Sequence, residues 1–225
     1  MYPTPPKEGT LADVASHRLA HSIVTGELAQ GQKLNETELA ERFGMGRGPL
    51  REALRHLEGM RLVKRVPNAG ARVVVLDQKT MSDLYEVREA LEGMACRLAA
   101  SRMTEQEIAQ LSTLLDRHEQ EIEQQNGMVY AQSEGDRDFH YQILQGSRNA
   151  MLMDILGGEQ YQLLRMCRNR TSHNALRTRP ALQQHRQIVA ALSQRDGELA
   201  EILMRRHIQG AWQSISEMID NEEKT

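Results

Sequence analysis

The stretch Met45–Val63, MGRGPLREALRHLEGMRLV, decides how the chain is read. Leu50, Leu54 and Leu57 fall at the i, i+4, i+7 spacing of a helix face packed on a core, while Arg47, Arg51 and Arg55 recur every four residues on another stripe. One side is apolar and the other cationic. Solvated arginine stripes with Glu52 and Glu58 nearby are common on helices, so the neighbouring segments must decide between an inert outer face and a reading face.

Upstream, Leu11–Thr25 places Leu11, Val14, Ala15, Leu19 and Ile23 on one helical face, with Gly26 as a stop. Asn35, with Glu38 three residues on, has capping-box spacing and opens a helix that ends at Gly44. The quoted helix follows, with Pro49 in its first turn, where a missing N–H does little harm. Two short helices around a tight glycine turn form a helix-turn-helix. Downstream, LVKRV and ARVVVL read as two strands joined by PNAG, with Gly70 available for a positive φ. Helices followed by a hairpin make a winged helix-turn-helix, whose second motif helix enters the major groove with its N-terminal residues at base edges. Guanidinium forks at Arg47 and Arg51 are suited to guanine O6 and N7 or to phosphate oxygens.

The wider composition agrees. The 225-residue chain holds only 4% aromatic residues, and its long Leu, Ala, Glu, Gln, Arg and Met stretches favour helix. Residues 1–76 carry 11 Lys and Arg against 8 Asp and Glu, and the remainder 17 against 23. That asymmetry fits a polyanion-binding N-terminal part and a C-terminal part with another task. Cys96 and Cys167 make no disulfide framework and read as buried small hydrophobes. The start MYPTPPKEGTLADV has no apolar signal segment, and no run is long enough to span a membrane, so a cytoplasmic setting is expected.

The fold expected is therefore mostly α: a winged helix-turn-helix over 1–76, a linker at 77–79 and an all-helical antiparallel bundle over 80–225. Within the bundle, a helix over 80–100 should turn Leu91, Met94, Ala95 and Leu98 inward. Thr104 with Glu107 should cap a helix reaching about 125. Further helices are expected at about 127–146, 149–170, 178–195 and 197–221.

Histidines are unevenly placed in this second part. DRDFH sets Asp136 and His140 at i and i+4, as two ligands of one metal on a helix face would be, and His185 and His207 each stand in a separate helix near its apolar side. His17 and His21 share that spacing but have no third ligand near in sequence, and read as helix packing.

Residues 11–76 resemble the DNA-binding domain of the GntR family of bacterial transcription regulators. The similarity is carried by LNETELAERFGM, by R-x-P-L-R-E-A-L-x-x-L and by LV…P…GA-x-V. There are departures. Gln30-Gly31 stands where the family has Pro-Gly, Gly46-Arg47-Gly48-Pro49 where it has Ser-Arg-Thr-Pro, and Met60-Arg61-Leu62 where it has Glu-Gly-Leu. The resemblance implies DNA contacts from Arg47, Arg51, Thr37, Gly48 and Arg55, and from Asn68 and Gly70 in the wing.

VREALEGMACRLAA, DRDFHYQILQGSRNAML, HRQIVAAL and MRRHI resemble the helical FCD ligand-binding domain of the FadR subfamily. That resemblance implies a divalent metal held by Asp136, His140, His185 and His207, zinc first, with nickel, manganese or iron as alternatives. It also implies an organic-acid effector met by Arg88, with Arg165 or Arg168 lining the same cavity. The function implied is a homodimeric regulator of an inverted-repeat operator in double-stranded DNA. A different class remains open at this point: a metal-dependent enzyme acting on a small carboxylate through the same Asp and His cluster.

Overall fold

A computed structural model describes residues 10–67, 70–130, 138–158, 160–169 and 174–222. Two compact units are present: Met1–Asp77 with Glu159–Cys167, and Gln78–Gly158 with Arg168–Thr225.

In the first unit, α1 (Leu11–Val24) begins at a capping box in which the Thr10 hydroxyl accepts from the Asp13 N–H and the Asp13 carboxylate accepts from the Thr10 N–H. Its buried face carries Ala12, Ala15, Leu19 and Ile23. Leu11, expected inside, is 65% exposed because it is the first helical residue and lies beyond the core. β1 (Lys33–Leu34) was not foreseen, being too short to show a period. Asn35 caps α2 (Glu36–Phe43) by accepting from the Thr37 N–H, while its amide donates to Glu38, so the reciprocal bond of the expected capping box runs between side chains. After Gly44 in the left-handed region, α3 (Arg47–Gly59) buries Leu50, Ala53, Leu54 and Leu57 as the leucine spacing requires. β2 (Val63–Val66) and β3 (Gly70–Val73) form the antiparallel hairpin, with Val66 opposite Gly70. β1 adds to the other side of β3, giving the order β1-β3-β2.

The second unit is helical. α4 (Gln78–Arg102) takes in two of the three residues expected as linker. It packs along α10 (Gly197–Glu222) and against α6 (Phe139–Gly146) and α9 (Ala175–Ser193). α5 (Glu105–Gln124) starts at the foreseen Thr104–Glu107 capping box and packs on α9 and α6.

Three expectations need correction. The inward face of α4 is rotated: Ala95 is buried as expected, but Met94 is 41% exposed and Leu91 and Leu98 are half-buried, while Met81, Tyr85, Arg88, Glu92, Cys96 and Ala99 lie inside. The helix turns a charged pair inward, which an apolar-period reading excludes by construction. The helix expected from 127 is absent at 128–130, and α6 opens only at Phe139, because Asp138 stops the backbone by accepting from the N–H groups of His140 and Tyr141. The single helix expected over 149–170 is broken. α7 (Ala150–Leu152) runs into a π turn at Met153–Gly157, and α8 (Tyr161–Asn169) starts afresh beyond Gly158. A Cβ on Gly158 would lie 2.5 Å from the Asp154 carbonyl oxygen, so only glycine fits that break.

Candidate functional site

The arginine stripe of α3 is exposed, and α2 reaches toward its start. Arg47 Nη2 lies 3.4 Å from the Thr37 hydroxyl, and Arg51 Nε donates to Glu36 Oε2 at 2.7 Å. Thr37, Arg47 and Arg51, all proposed to touch DNA, thus come together where α2 and α3 begin. The Arg51 side chain remains 60% exposed, and an ion pair in that setting is worth about 0–1 kcal/mol, little enough to be exchanged for a phosphate or a base edge. Arg55 is exposed one turn further on, and Gly48 is exposed with nothing within 4 Å of a Cβ built on it. Gly46 caps α3 with no side-chain bond, as its departure from the family serine suggests. In the wing, Gly70 has φ +82°, the left-handed conformation expected there, and Asn68 lies outside the described residues.

The second unit holds the histidines. His140 comes from the first turn of α6, His185 from the middle of α9 and His207 from α10. All three are buried, and one ring nitrogen from each lies within 4.8 Å of the others. His185 Nε2 and His207 Nε2 are 3.1 Å apart. The second nitrogen of each ring is held: His140 Nδ1 by Glu92 Oε2 at 2.6 Å, His185 Nδ1 by the Tyr130 hydroxyl at 2.8 Å, and His207 Nδ1 by Gln184 Oε1 at 2.9 Å. Tyr130 in turn meets His118 Nδ1 at 3.1 Å, and the Phe139 ring stacks on His185 with centroids 4.2 Å apart.

Each Nδ1 has an oxygen partner: Glu92 and the Gln184 amide oxygen accept, which leaves Nε2 of the neutral His140 and His207 rings with its lone pair, whereas the Tyr130 hydroxyl can donate or accept, so His185 Nε2 either donates a proton to His207 Nε2 or presents a lone pair of its own. Facing lone pairs repel unless a cation or a proton lies between them. Burial holds the pKa of His185 and His207 well below its ordinary range, helped by the neighbouring imidazoles and Arg177, which favours neutral rings. His140 is also lowered, first by burial, with Glu92 opposing. Neutral imidazoles are the form in which histidine can hold a divalent ion. A metal–nitrogen distance of about 2.1 Å puts two tetrahedral ligands roughly 3.4 Å apart, close to what His185 and His207 already show. Asp136, the fourth ligand expected, lies outside the described residues.

The arginines expected to meet an effector are already engaged. Arg88 Nε donates to Glu92 Oε1 at 2.8 Å, and its guanidinium lies 4.7 Å from the Tyr85 ring centroid. Arg168 forks onto Asp138, with Nη1 on Oδ1 at 3.2 Å and Nη2 on Oδ2 at 2.5 Å. Arg165 belongs to the other compact unit, where it donates to Gln162 Oε1 and lies over the Tyr161 ring. Sequence reasoning did not single out Glu92, Tyr130, Gln184, His118 or Asp138. Only the i, i+4 pair Arg88 and Glu92 left a readable trace, since the others depend on contacts between distant segments.

Residues 83–210 match the FCD domain, and residues 11–73 match the bacterial regulatory proteins of the gntR family. The chain belongs to the GntR family of bacterial transcription regulators, in the FadR-like pairing of a winged helix-turn-helix with an FCD domain.

It is 32% identical over 195 residues to the Nta operon transcriptional regulator of Aminobacter aminovorans, covering 84% of this chain and 87% of that one. It is 29% identical over 186 residues to the uncharacterized HTH-type transcriptional regulator YdhC of Bacillus subtilis, covering 82% of each. Among solved structures it is similar to E. coli McbR/YncC, with a TM-score of 0.73 at 23% identity, covering 96% of this chain and all of the other. That last likeness concerns the fold alone. These families and relatives are transcriptional regulators and not enzymes, which sets aside the alternative of a metal-dependent enzyme. No helix among the described residues is long and apolar enough to cross a membrane.

Proposed function

We propose that this regulator acts in the cytoplasm as a homodimer that reads an inverted-repeat operator with Arg47 and Arg51 of α3, and that its FCD domain senses a small organic acid beside a divalent metal. The observation that carries the sensing part is the convergence of three buried imidazole nitrogens, each with its other nitrogen held by an oxygen. His140, His185 and His207 would hold the ion, with Asp136 as the fourth ligand, and zinc suits three imidazoles and a carboxylate. The ion would supply Lewis-acid attraction for a carboxylate. An incoming carboxylate would compete with Glu92 and Asp138 for the guanidinium groups of Arg88 and Arg168.

The dimer is proposed because two reading helices match two half-sites one helical turn apart, and two-fold operators mirror two-fold proteins. Thr37, Gly48 and Arg55 would border the contact of Arg47 and Arg51, and Asn68 and Gly70 would carry the wing to the sugar-phosphate surface.

The test is retardation of the DNA upstream of the protein's own gene, at several salt concentrations, with and without a panel of carboxylic acids. Parent protein should bind that DNA more tightly than unrelated DNA, and one acid should change the affinity. Arg51→Ala should weaken binding by roughly 1–3 kcal/mol if a guanine fork is lost, or lower the salt slope by about one if a phosphate contact is lost. Equal binding by parent and Arg51→Ala would exclude the reading helix, and a parent indifferent to every acid would exclude the sensor.

A further inference from the structure

One residue of the second unit joins its arginine and its histidine cluster. Glu92 sits one turn beyond Arg88 on α4 and is buried beside it. Its two oxygens have separate tasks: Oε1 accepts from Arg88 Nε at 2.8 Å, and Oε2 meets His140 Nδ1 at 2.6 Å. We propose that Glu92 is the positioning residue for His140: it fixes the Nδ1–H form of the ring, so that Nε2 presents its lone pair to His185 and His207, and Arg88 keeps the carboxylate in place to do so. The proposal rests on the metal-sensing reading above for its consequence, but the orientation of the ring is measurable without any ion.

A neutral imidazole carries one N–H, and which nitrogen bears it follows the hydrogen bond available to the other side. A carboxylate can only accept, so His140 Nδ1 must donate to it. The other two histidines are held by neutral groups, the Tyr130 hydroxyl and the Gln184 amide oxygen. His140 alone has an anionic partner, and an anionic acceptor both fixes the ring more firmly and makes Nε2 a better donor to a cation.

Glu92 is buried between Arg88 and His140, with one carboxylate oxygen on each. A buried carboxylate with a buried guanidinium is costly unless both are satisfied. The Arg88–Glu92 pair thus gives the site an anionic acceptor in a place where a lone carboxylate would not be tolerated.

Replacing Glu92 alone would strand the Arg88 charge and endanger folding, so the test replaces both. Arg88→Met with Glu92→Gln removes the ion pair but leaves an amide oxygen for His140 Nδ1–H. Arg88→Met with Glu92→Leu removes the pair and the acceptor together. The two double variants differ only in whether His140 keeps a partner.

The first measurement is the His140 tautomer in metal-stripped protein, by long-range proton–nitrogen NMR. The second is zinc affinity by chelator competition, with the cobalt absorption spectrum as a report on ligand geometry. The Gln variant should keep Nδ1–H and a parent-like cobalt spectrum. The Leu variant should show mixed tautomers, an altered spectrum and zinc affinity about 10–100-fold below the Gln variant. Identical tautomer, spectrum and affinity in the two would overturn the positioning role. A parent that binds no zinc while its His140 tautomer still follows residue 92 would overturn the metal reading and leave Glu92 as the orienting group.

Discussion

The arginines of α3 and the histidines of the FCD domain are both concentrations of polar side chains, held in opposite ways. Arg47 and Arg51 are exposed and restrained by one contact each, to Thr37 and Glu36. His140, His185 and His207 are buried, and each ring is held by an oxygen from another segment of the chain. Exposed charges cost the fold little, so the reading surface can be altered with small effects on stability. Buried polar groups are tolerated only as a satisfied set, so loss of one member is felt by the rest.

The largest expected effect breaks the buried set. His185→Ala removes one ligand and leaves the Tyr130 hydroxyl with only one of its two imidazole partners, His118. Free zinc about 1,000-fold above its dissociation constant stabilises a one-site protein by about 4 kcal/mol. Parent protein should show that rise in melting temperature on adding zinc, and His185→Ala should show almost none.

Acid sharpens the same contrast. Burial lowers the protonation of His185, His207 and His140 relative to an unfolded chain, so below about pH 6.5 the unfolded state binds more protons. Metal-stripped protein should therefore be fully stable with respect to these groups above that pH and lose stability as pH falls through the window below it. Each such histidine contributes at most about 1.4 kcal/mol per pH unit. Urea midpoints between pH 5 and 7.5 check this, and the slope should be shallower in His185→Ala.

How much could be read in the sequence follows the same division. α3, its leucine face and its arginine stripe were legible because helix periodicity places those residues within a few turns of one another. The capping box at Thr104 and the positive φ of Gly70 were legible for the same local reason. His140, His185 and His207 were found through the family resemblance, since spacing could suggest only Asp136, four residues before His140. The partners Glu92, Tyr130 and Gln184 were not found, because a hydrogen bond across 23, 48 or 55 residues leaves no period. The rotation of α4 was missed because Arg88 and Glu92 occupy buried positions that an apolar-period reading reserves for hydrophobes. The break at Gly158 was missed because two adjacent glycines in a helical pattern were read through rather than as a stop.

The smallest expected effect lies on the reading side. Arg61, standing where the family has glycine, adopts φ +56° just beyond α3, a conformation that costs a residue with a Cβ about 1 kcal/mol. Arg61→Gly should raise the stability of the winged domain by up to that amount, less the entropy glycine adds to the unfolded chain. Thermal unfolding with zinc held constant is the readout.

The most direct measurement takes metal content and operator affinity from the same preparations of parent, Arg51→Ala and His185→Ala. The two sites are expected to separate cleanly: parent with metal and tight DNA binding, Arg51→Ala with metal but weakened DNA binding, His185→Ala with little metal but DNA binding largely kept in the absence of an organic acid. A parent that holds no metal after reconstitution with zinc, nickel or manganese, or an Arg51→Ala protein that binds operator as tightly as the parent, would contradict it.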